Sequence, residues 1–147
     1  RMAWEDIGFA DTNAAVVVNT ALQTYERLGS PEGELALAGA VIYLAVTNKS
    51  NSLELAYNHL RDHLNNVVSA PVPTHLRNAP TKLMTDLGYG KEYKYAHDYP
   101  NHYVKNEQYF PDGMLELKFY QPSDQGFEQR IQERMNYLRD LDQQAKK

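Results

Sequence analysis

The sequence predicts a mainly α fold: an antiparallel helical bundle joined to a tyrosine-rich irregular layer that carries a short β-hairpin. Three observations lead there. The first half holds three segments with helical apolar spacing, separated by short polar joints and bounded by capping residues. The middle is broken by prolines and loaded with tyrosine, and leucine is scarce in it. The final stretch returns to helical spacing.

The first helix is expected from Asp11 to Leu28. Ala14, Val18, Ala21, Leu22, Tyr25 and Leu28 recur at three- and four-residue steps and form one apolar stripe. Asp11 or Thr12 stands where a cap is needed, and Gly29 supplies a left-handed stop. The second helix is expected to begin at Ser30-Pro31-Glu32. Serine caps, proline has no N–H to lose in the first turn, and glutamate favours the positive end of the helix dipole. Its body, ELALAGAVIYLAVT, is apolar nearly all round, so it needs neighbours on several sides. Ala36, Ala38, Gly39, Ala40 and Ala45 lack bulk and admit a second helix closely. Gly39 costs the helix about 1 kcal/mol relative to alanine, and close packing is the expected compensation. After the joint NKSN, Asn51 and Glu54 have capping-box spacing. The third helix puts Leu53, Ala56, Tyr57, Leu60, Leu64 and Val67 on one face and Asn58, Arg61, Asp62 and Asn65 on the other. Three helices with short joints are expected to pack as antiparallel neighbours.

Ala70-Pro71-Val72-Pro73 ends this pattern, because two prolines exclude helix and extend the residues before them. A short helix is expected from Pro80 to Leu87, stopped by Gly88. Seven of the eleven tyrosines then fall between Tyr89 and Tyr120, which argues for an ordered layer cemented by rings. A hairpin is expected around Pro111-Asp112-Gly113, with Leu117 to Tyr120 as one arm. The last helix is expected from Asp124 to Gln143, capped by Ser123 or Asp124. Phe127, Ile131, Met135, Leu138 and Leu141 form its stripe, and Lys146-Lys147 lie at its negative end.

Composition bounds the function. The 147 residues suit one domain, and size scaling predicts that roughly 69% of the unfolded surface is buried, enough for an ordinary apolar core. Without cysteine there are no disulfides and no thiolate metal sites. No stretch reads as a secretory signal, and Leu35 to Val46 is too short to span a bilayer. A net charge of -4 and a pI near 5.7 exclude a strongly basic nucleic-acid domain as a whole-chain property. The chain starts at Arg1 with an apolar pattern already under way, which reads as a piece of a longer protein.

Several constellations invite chemistry. His59 and His63 lie one turn apart and loosely resemble an inverted zinc motif, but no third ligand accompanies them, so two solvated histidines are the better reading. Gly88-Tyr89-Gly90-Lys91 lacks the first glycine, the Ser/Thr and the preceding strand of a phosphate loop, and reads as a helix stop followed by a turn. His75, His97 and His102 with Asp86, Asp98 and either Ser69 or Thr81 make a triad only on paper, since no nucleophile turn is visible. Arg77, Lys82, Lys91, Lys94 and Lys105 interleave with aromatics, as a single-strand surface would. Asp86, Glu92 and Asp98 dilute that charge, which favours a structural tyrosine layer with a solvated rim.

The run from Pro71 to Pro100, PVPTHLRNAPTKLMTDLGYGKEYKYAHDYP, is very similar to the signature of the C-terminal domain of the RarA/MgsA family. These are replication-associated recombination ATPases related to the eukaryotic Werner-interacting ATPase. WEDIG at Trp4 to Gly8 resembles the family's SEDIG, with tryptophan where serine is usual. SPEG from Ser30, YLA from Tyr43, NKSN from Asn48 and YQPSDQGFE from Tyr120 continue the match in order. The resemblance implies a modular parent whose N-terminal AAA+ module binds ATP and Mg. Residues 1–10 would be the end of a linker from that module, and 11–147 a helical domain similar to a clamp-loader collar, assembling a homotetramer. It implies a cytoplasmic, nucleoid-associated protein that works on DNA, with single-strand-binding protein as a further partner and no membrane. The family's nucleotide motifs lie upstream, so this chain is expected to hold no catalytic, cofactor or metal site. Leu35, Leu37, Ala38, Val41, Ile42 and Leu44 are the candidate subunit interface; Arg77, Lys82, Lys91 and Lys94 are the candidate DNA contacts.

Overall fold

In a computed structural model, which describes residues 1–67, 69–114 and 116–145, helices α1 (Ala14–Leu28) and α2 (Glu34–Val46) pack against each other. The chain divides into two compact units, Arg1–Asn66 with Lys118–Asn136, and Val67–Leu117 with Tyr137–Lys147. Helix α3 (Ser52–Asn66) lies in the first unit, the short α4 (Lys82–Asp86) in the second, and α5 (Glu128–Gln144) contributes residues to both.

In the first unit a π-helical turn, Ala3–Ile7, and a 3-10 turn, Gly8–Ala10, precede α1. Ala3, Ile7 and Ala14 form the core, with Ala15, Val18, Tyr43 and Leu44 packed on it. Helix α3 takes its main contacts from these N-terminal turns rather than from α1 or α2, so the expected three-helix antiparallel packing reduces to one helix pair. Helix α1 begins at Ala14, three residues later than expected and without a side-chain cap, because Asp11 turns the chain just before it: its Oδ1 accepts the Asn13 N–H at 2.9 Å. Gly29 stops the helix at φ 71° and donates its N–H to the Tyr25 carbonyl at 2.8 Å. The start of α2 differs from expectation. Ser30-Pro31 forms a turn, Ser30 donates to the Glu34 side chain instead of capping, and the helix begins at Glu34. Gly33 makes this tight reversal fit, because a Cβ there would stand 2.7 Å from the Gly29 carbonyl oxygen.

In the second unit Thr81 caps α4, its Oγ1 accepting the Met84 N–H at 3.3 Å, and Gly88 ends it at φ 82°. Pro80 stands before the cap rather than inside the helix. The expected hairpin is absent: Asp112 and Gly113 do turn, but no strand occurs among the described residues. Leu117 to Tyr120 carries strand-like residues without a partner, and a strand needs a partner's hydrogen bonds to exist. The tyrosine layer is also looser than expected, with Tyr93, Tyr95, Tyr99 and Tyr109 exposed. Tyr103 is half-buried and donates its hydroxyl to Asp142 at 2.8 Å. Burial, and then that carboxylate, raise the Tyr103 pKa to about 12. Helix α5 starts four residues later than expected, because Ser123 turns its hydroxyl and N–H onto Glu128. The placement of Lys146-Lys147 lies outside the described residues.

The buried apolar residues among the described ones are few and small. Six are alanines (Ala3, Ala10, Ala14, Ala21, Ala40 and Ala56), joined only by Ile7 and Val104. The ordinary large-residue core expected from chain length is not present among the described residues.

Candidate interaction surfaces

Helix α2 is anchored along one side only. Ala40 is buried, and Leu37, Tyr43 and Leu44 are half-buried against their own chain. Its C-terminal end is clasped to α1's leading turn by Asp11, which accepts the Tyr43 hydroxyl at 2.6 Å and the Thr47 hydroxyl. Burial works against the charged form of Asp11, but hydrogen bonds from Thr47, Tyr43 and the Asn13 N–H outweigh it and hold the pKa below the usual range. The Lys49 ammonium closes the helix end, donating to the Leu44 and Thr47 carbonyls at 2.7 Å each.

The other side of α2 is bare. Leu35 and Val46 are 79% exposed, Val41 66% and Ile42 65%, with Ala38 and Ala45 exposed among them. A Cβ built on Gly39 meets nothing within 4 Å, so the close packing expected there is not supplied by this chain. Of the six candidate interface residues, Leu35, Ala38, Val41 and Ile42 lie on this bare side, whereas Leu37 and Leu44 turn inward. Leu22 and Leu28 of the α1 stripe are exposed as well.

The basic residues of the second unit divide into two kinds. Arg77 is committed to its own chain: its Nε donates to the Val72 carbonyl at 2.6 Å and its guanidinium lies 5.0 Å from the Tyr89 ring centroid. Lys94 pairs with Glu107 at 3.0 Å, and that hydrogen bond and charge raise its pKa. Lys82, Lys91 and Lys105 are exposed and form no ion pair among the described residues. Gly88 to Lys91 is a run of turns following α4, with no strand before it and no helix after it, unlike a phosphate loop.

The histidines serve packing and hydrogen bonding. His59 and His63 both contact the Phe119 ring, at centroid distances of 5.4 and 5.8 Å. His75 lies 3.2 Å from the Glu107 carboxylate and 3.0 Å from the Gln108 carbonyl. The His97 and His102 rings lie tilted against each other, with centroids 4.9 Å apart. The paper triad does not assemble: Thr81 caps a helix, and the carboxylate beside His75 is Glu107 rather than Asp86 or Asp98. Among the described residues no group of three or more histidine or carboxylate side chains is arranged to hold a metal ion.

Sequence reasoning missed the first unit's most ordered polar feature. Glu128 is fully buried, yet four hydroxyls and one N–H converge on its carboxylate. Ser50 and Tyr120 donate at 2.7 Å, the Ser123 N–H at 2.9 Å, and the Ser52 and Ser123 hydroxyls complete the set. Burial alone would raise the pKa, but these donors bring it down to about 2. Burial and the same carboxylate push the Tyr120 phenol well above its usual range. The spacing Ser50-x-Ser52 at the start of α3 was a signal available, and it reads equally well as a cap.

Comparison with known proteins adds what geometry alone does not. Residues 1–139 match the family described as MgsA AAA+ ATPase C terminal. The chain belongs to this family. It is 44% identical over 146 residues to replication-associated recombination protein A of Haemophilus influenzae, covering 99% of this chain and 33% of that protein. Against the Escherichia coli K12 protein of the same name it is 42% identical over 144 residues, 98% of this chain and 32% of that one. A eukaryotic relative, ATPase WRNIP1 of Dictyostelium discoideum, is 41% identical over 121 residues, 82% of this chain and 14% of that protein. The chain thus spans about a third of the length of the bacterial relatives it matches. The resemblance carried by HLRNAPTKLM and its neighbours is the one the MgsA C-terminal family bears out. Among the described residues no helix is long and apolar enough to cross a membrane.

Proposed function

We propose that this MgsA C-terminal domain is a non-catalytic assembly module, joining copies of a replication-fork AAA+ ATPase into a homotetramer through the bare side of α2. The observation that carries this reading is the exposure of Leu35, Val41, Ile42 and Val46 on a helix whose opposite side is firmly clasped. Four large side chains left in water on one ordered helix form a patch that a monomer rarely keeps. Closed symmetry puts the same patch on both partners, so a second α2 meets it in kind. ATP and Mg belong, on this reading, to the ATPase module of the parent. The parent acts on DNA in the cytoplasm, at the nucleoid, with single-strand-binding protein as a partner. Replacing Ile42 with aspartate puts a charge on the patch without touching the core. Light scattering behind size exclusion is expected to show a multimer for the unaltered chain and a monomer for Ile42→Asp. Equal masses for the two would refute the assignment of the interface.

A second reading has its own observation. Tyr93, Tyr95, Tyr99 and Tyr109 stand exposed in the segment that also carries free Lys91 and Lys105, a combination suited to stacking and pairing with single-stranded DNA. Arg77 and Lys94, already engaged within the fold, contribute less to it than Lys82 and Lys91. Binding that weakens as salt rises, and weakens again in Tyr95→Ala, supports this reading; no binding at low salt by the assembled domain removes it.

A further inference from the structure

We propose that a cleft between the start of α3 and residues 119–123 takes a guanidinium group, presented as the arginine side chain of a partner polypeptide. The cleft measures ≈ 490 Å³ and lies within the first unit. Ser50, Ser52 and Ser123 form its floor, directly over the buried Glu128, and Leu55 and Phe119 are its apolar walls. The hydroxyl protons decide what it can hold. A serine hydroxyl has one proton and two lone pairs. All three serines give that proton to the Glu128 carboxylate. One lone pair of Ser50 takes the Ser52 N–H at 3.3 Å, and one of Ser123 takes the Gln125 N–H at 3.2 Å. The floor therefore keeps lone pairs and has no hydroxyl proton left to give. The side-chain amides of Asn51 and Gln121, at the rim, have no hydrogen-bond partner among the described residues, so their carbonyl oxygens add two more acceptors. A phosphate or carboxylate meets lone pairs here, whereas a group made only of N–H donors is matched.

Charge points the same way. Glu128 places a full negative charge behind the floor, and the start of α3 offsets only about half of it. No lysine or arginine of this chain lines the cleft, and the ammonium of neighbouring Lys49 is turned onto the Leu44 and Thr47 carbonyls. His59, at the rim, is packed on the Phe119 ring. Among cations, shape favours arginine over lysine. A guanidinium spreads five donors over a plane, sheds water readily and lies against an aromatic ring, while an ammonium is compact and tightly hydrated. The acceptors here are dispersed and one wall is a phenyl ring, and Leu55, 58% exposed, offers apolar surface to the arginine stem. The same lone pairs and buried charge disfavour the α-carboxylate of a free amino acid, which a residue inside a polypeptide does not carry.

The probe is N-acetyl-arginine methylamide, titrated into the 147-residue chain at pH 8 and followed by saturation-transfer NMR. Its citrulline analogue, the same skeleton ending in an uncharged urea, is the control. The arginine probe is expected to saturate with a Kd of about 1 mM, and the citrulline analogue to bind about fivefold more weakly, the margin of a charge-assisted over a neutral hydrogen bond. Gln121→Ala changes an exposed side chain without partners, so it keeps the fold, and it is expected to weaken the arginine probe several-fold. Ile42→Asp, on the bare side of α2, is expected to leave binding unchanged, which separates this site from the assembly surface. No saturable binding overturns the proposal, and equal affinity for the citrulline analogue overturns the charge argument with it. An unchanged Kd in Gln121→Ala, or its loss in Ile42→Asp, puts the probe elsewhere and also overturns it. Free arginine binding as tightly as the capped residue overturns the assignment to a polypeptide.

Discussion

Glu128 ties acid sensitivity to a single buried carboxylate. Its pKa in the fold, about 2, lies below its value in an unfolded chain, so the unfolded state takes up the proton first as pH falls. The stabilisation it gives is complete above about pH 5 and drains away between there and about pH 2. Asp11 is shifted in the same direction and adds to the slope. Urea unfolding at fixed protein concentration is expected to show this loss below pH 5. Glu128→Gln is expected to flatten much of it while costing about 2–3 kcal/mol at neutral pH, because the amide cannot accept from every hydroxyl. Gly126 is equally constrained for a steric reason. At φ 52° a Cβ would stand 2.0 Å from the Ala10 carbonyl oxygen, at the place where the Phe127 N–H donates to that same oxygen at 2.9 Å. Gly126→Ala is therefore expected to lose about 3 kcal/mol or more in the same assay. Neither residue was legible in the sequence. A glutamate among polar neighbours reads as solvated, and two of its serine partners, Ser50 and Ser52, are distant along the chain.

Helices were legible to the extent that their causes are local. The stripe of α1 and the left-handed Gly29 sit within one turn of what they specify, and the helix ends where they place it. The starts of α2 and α5 slipped because serine has two uses. Ser30 and Ser123 could cap, but each found a glutamate side chain instead. The arm from Leu117 failed as a strand because strand character needs a partner, which no residue pattern guarantees. Two predictions belong to this scale. Removing the clasp in Asp11→Ala is expected to cost about 1–2 kcal/mol, measured by urea unfolding, because Tyr43 and Thr47 lose their acceptor. Gly39→Ala separates the isolated helix from the assembled one. With open space around it, the substitution stabilises the single chain by up to about 1 kcal/mol. If a second helix crosses closely at Gly39, the same change weakens association, and a dilution series by light scattering will show it.

For the molecule as a whole, area explains what the alphabet concealed. The apolar character of α2 was legible, and the family resemblance held along nearly the entire chain. The bare side of α2 was legible in part. Helical spacing places Leu35, Ala38, Val41 and Ile42 on one side, but which side faces outward depended on the Asp11 clasp and on Ile7, neither of which the periodicity of α2 contains. Chain length leads one to expect large side chains inside. Here alanines fill the interior of the described residues and the leucines and valines of α1 and α2 face outward. On the proposed function, a chain built this way hides its apolar surface against copies of itself. Sedimentation equilibrium of the 147-residue chain across the micromolar range measures that directly. The account predicts a mass of four chains that dissociates on dilution; a single 16.8 kDa species at every concentration would contradict it.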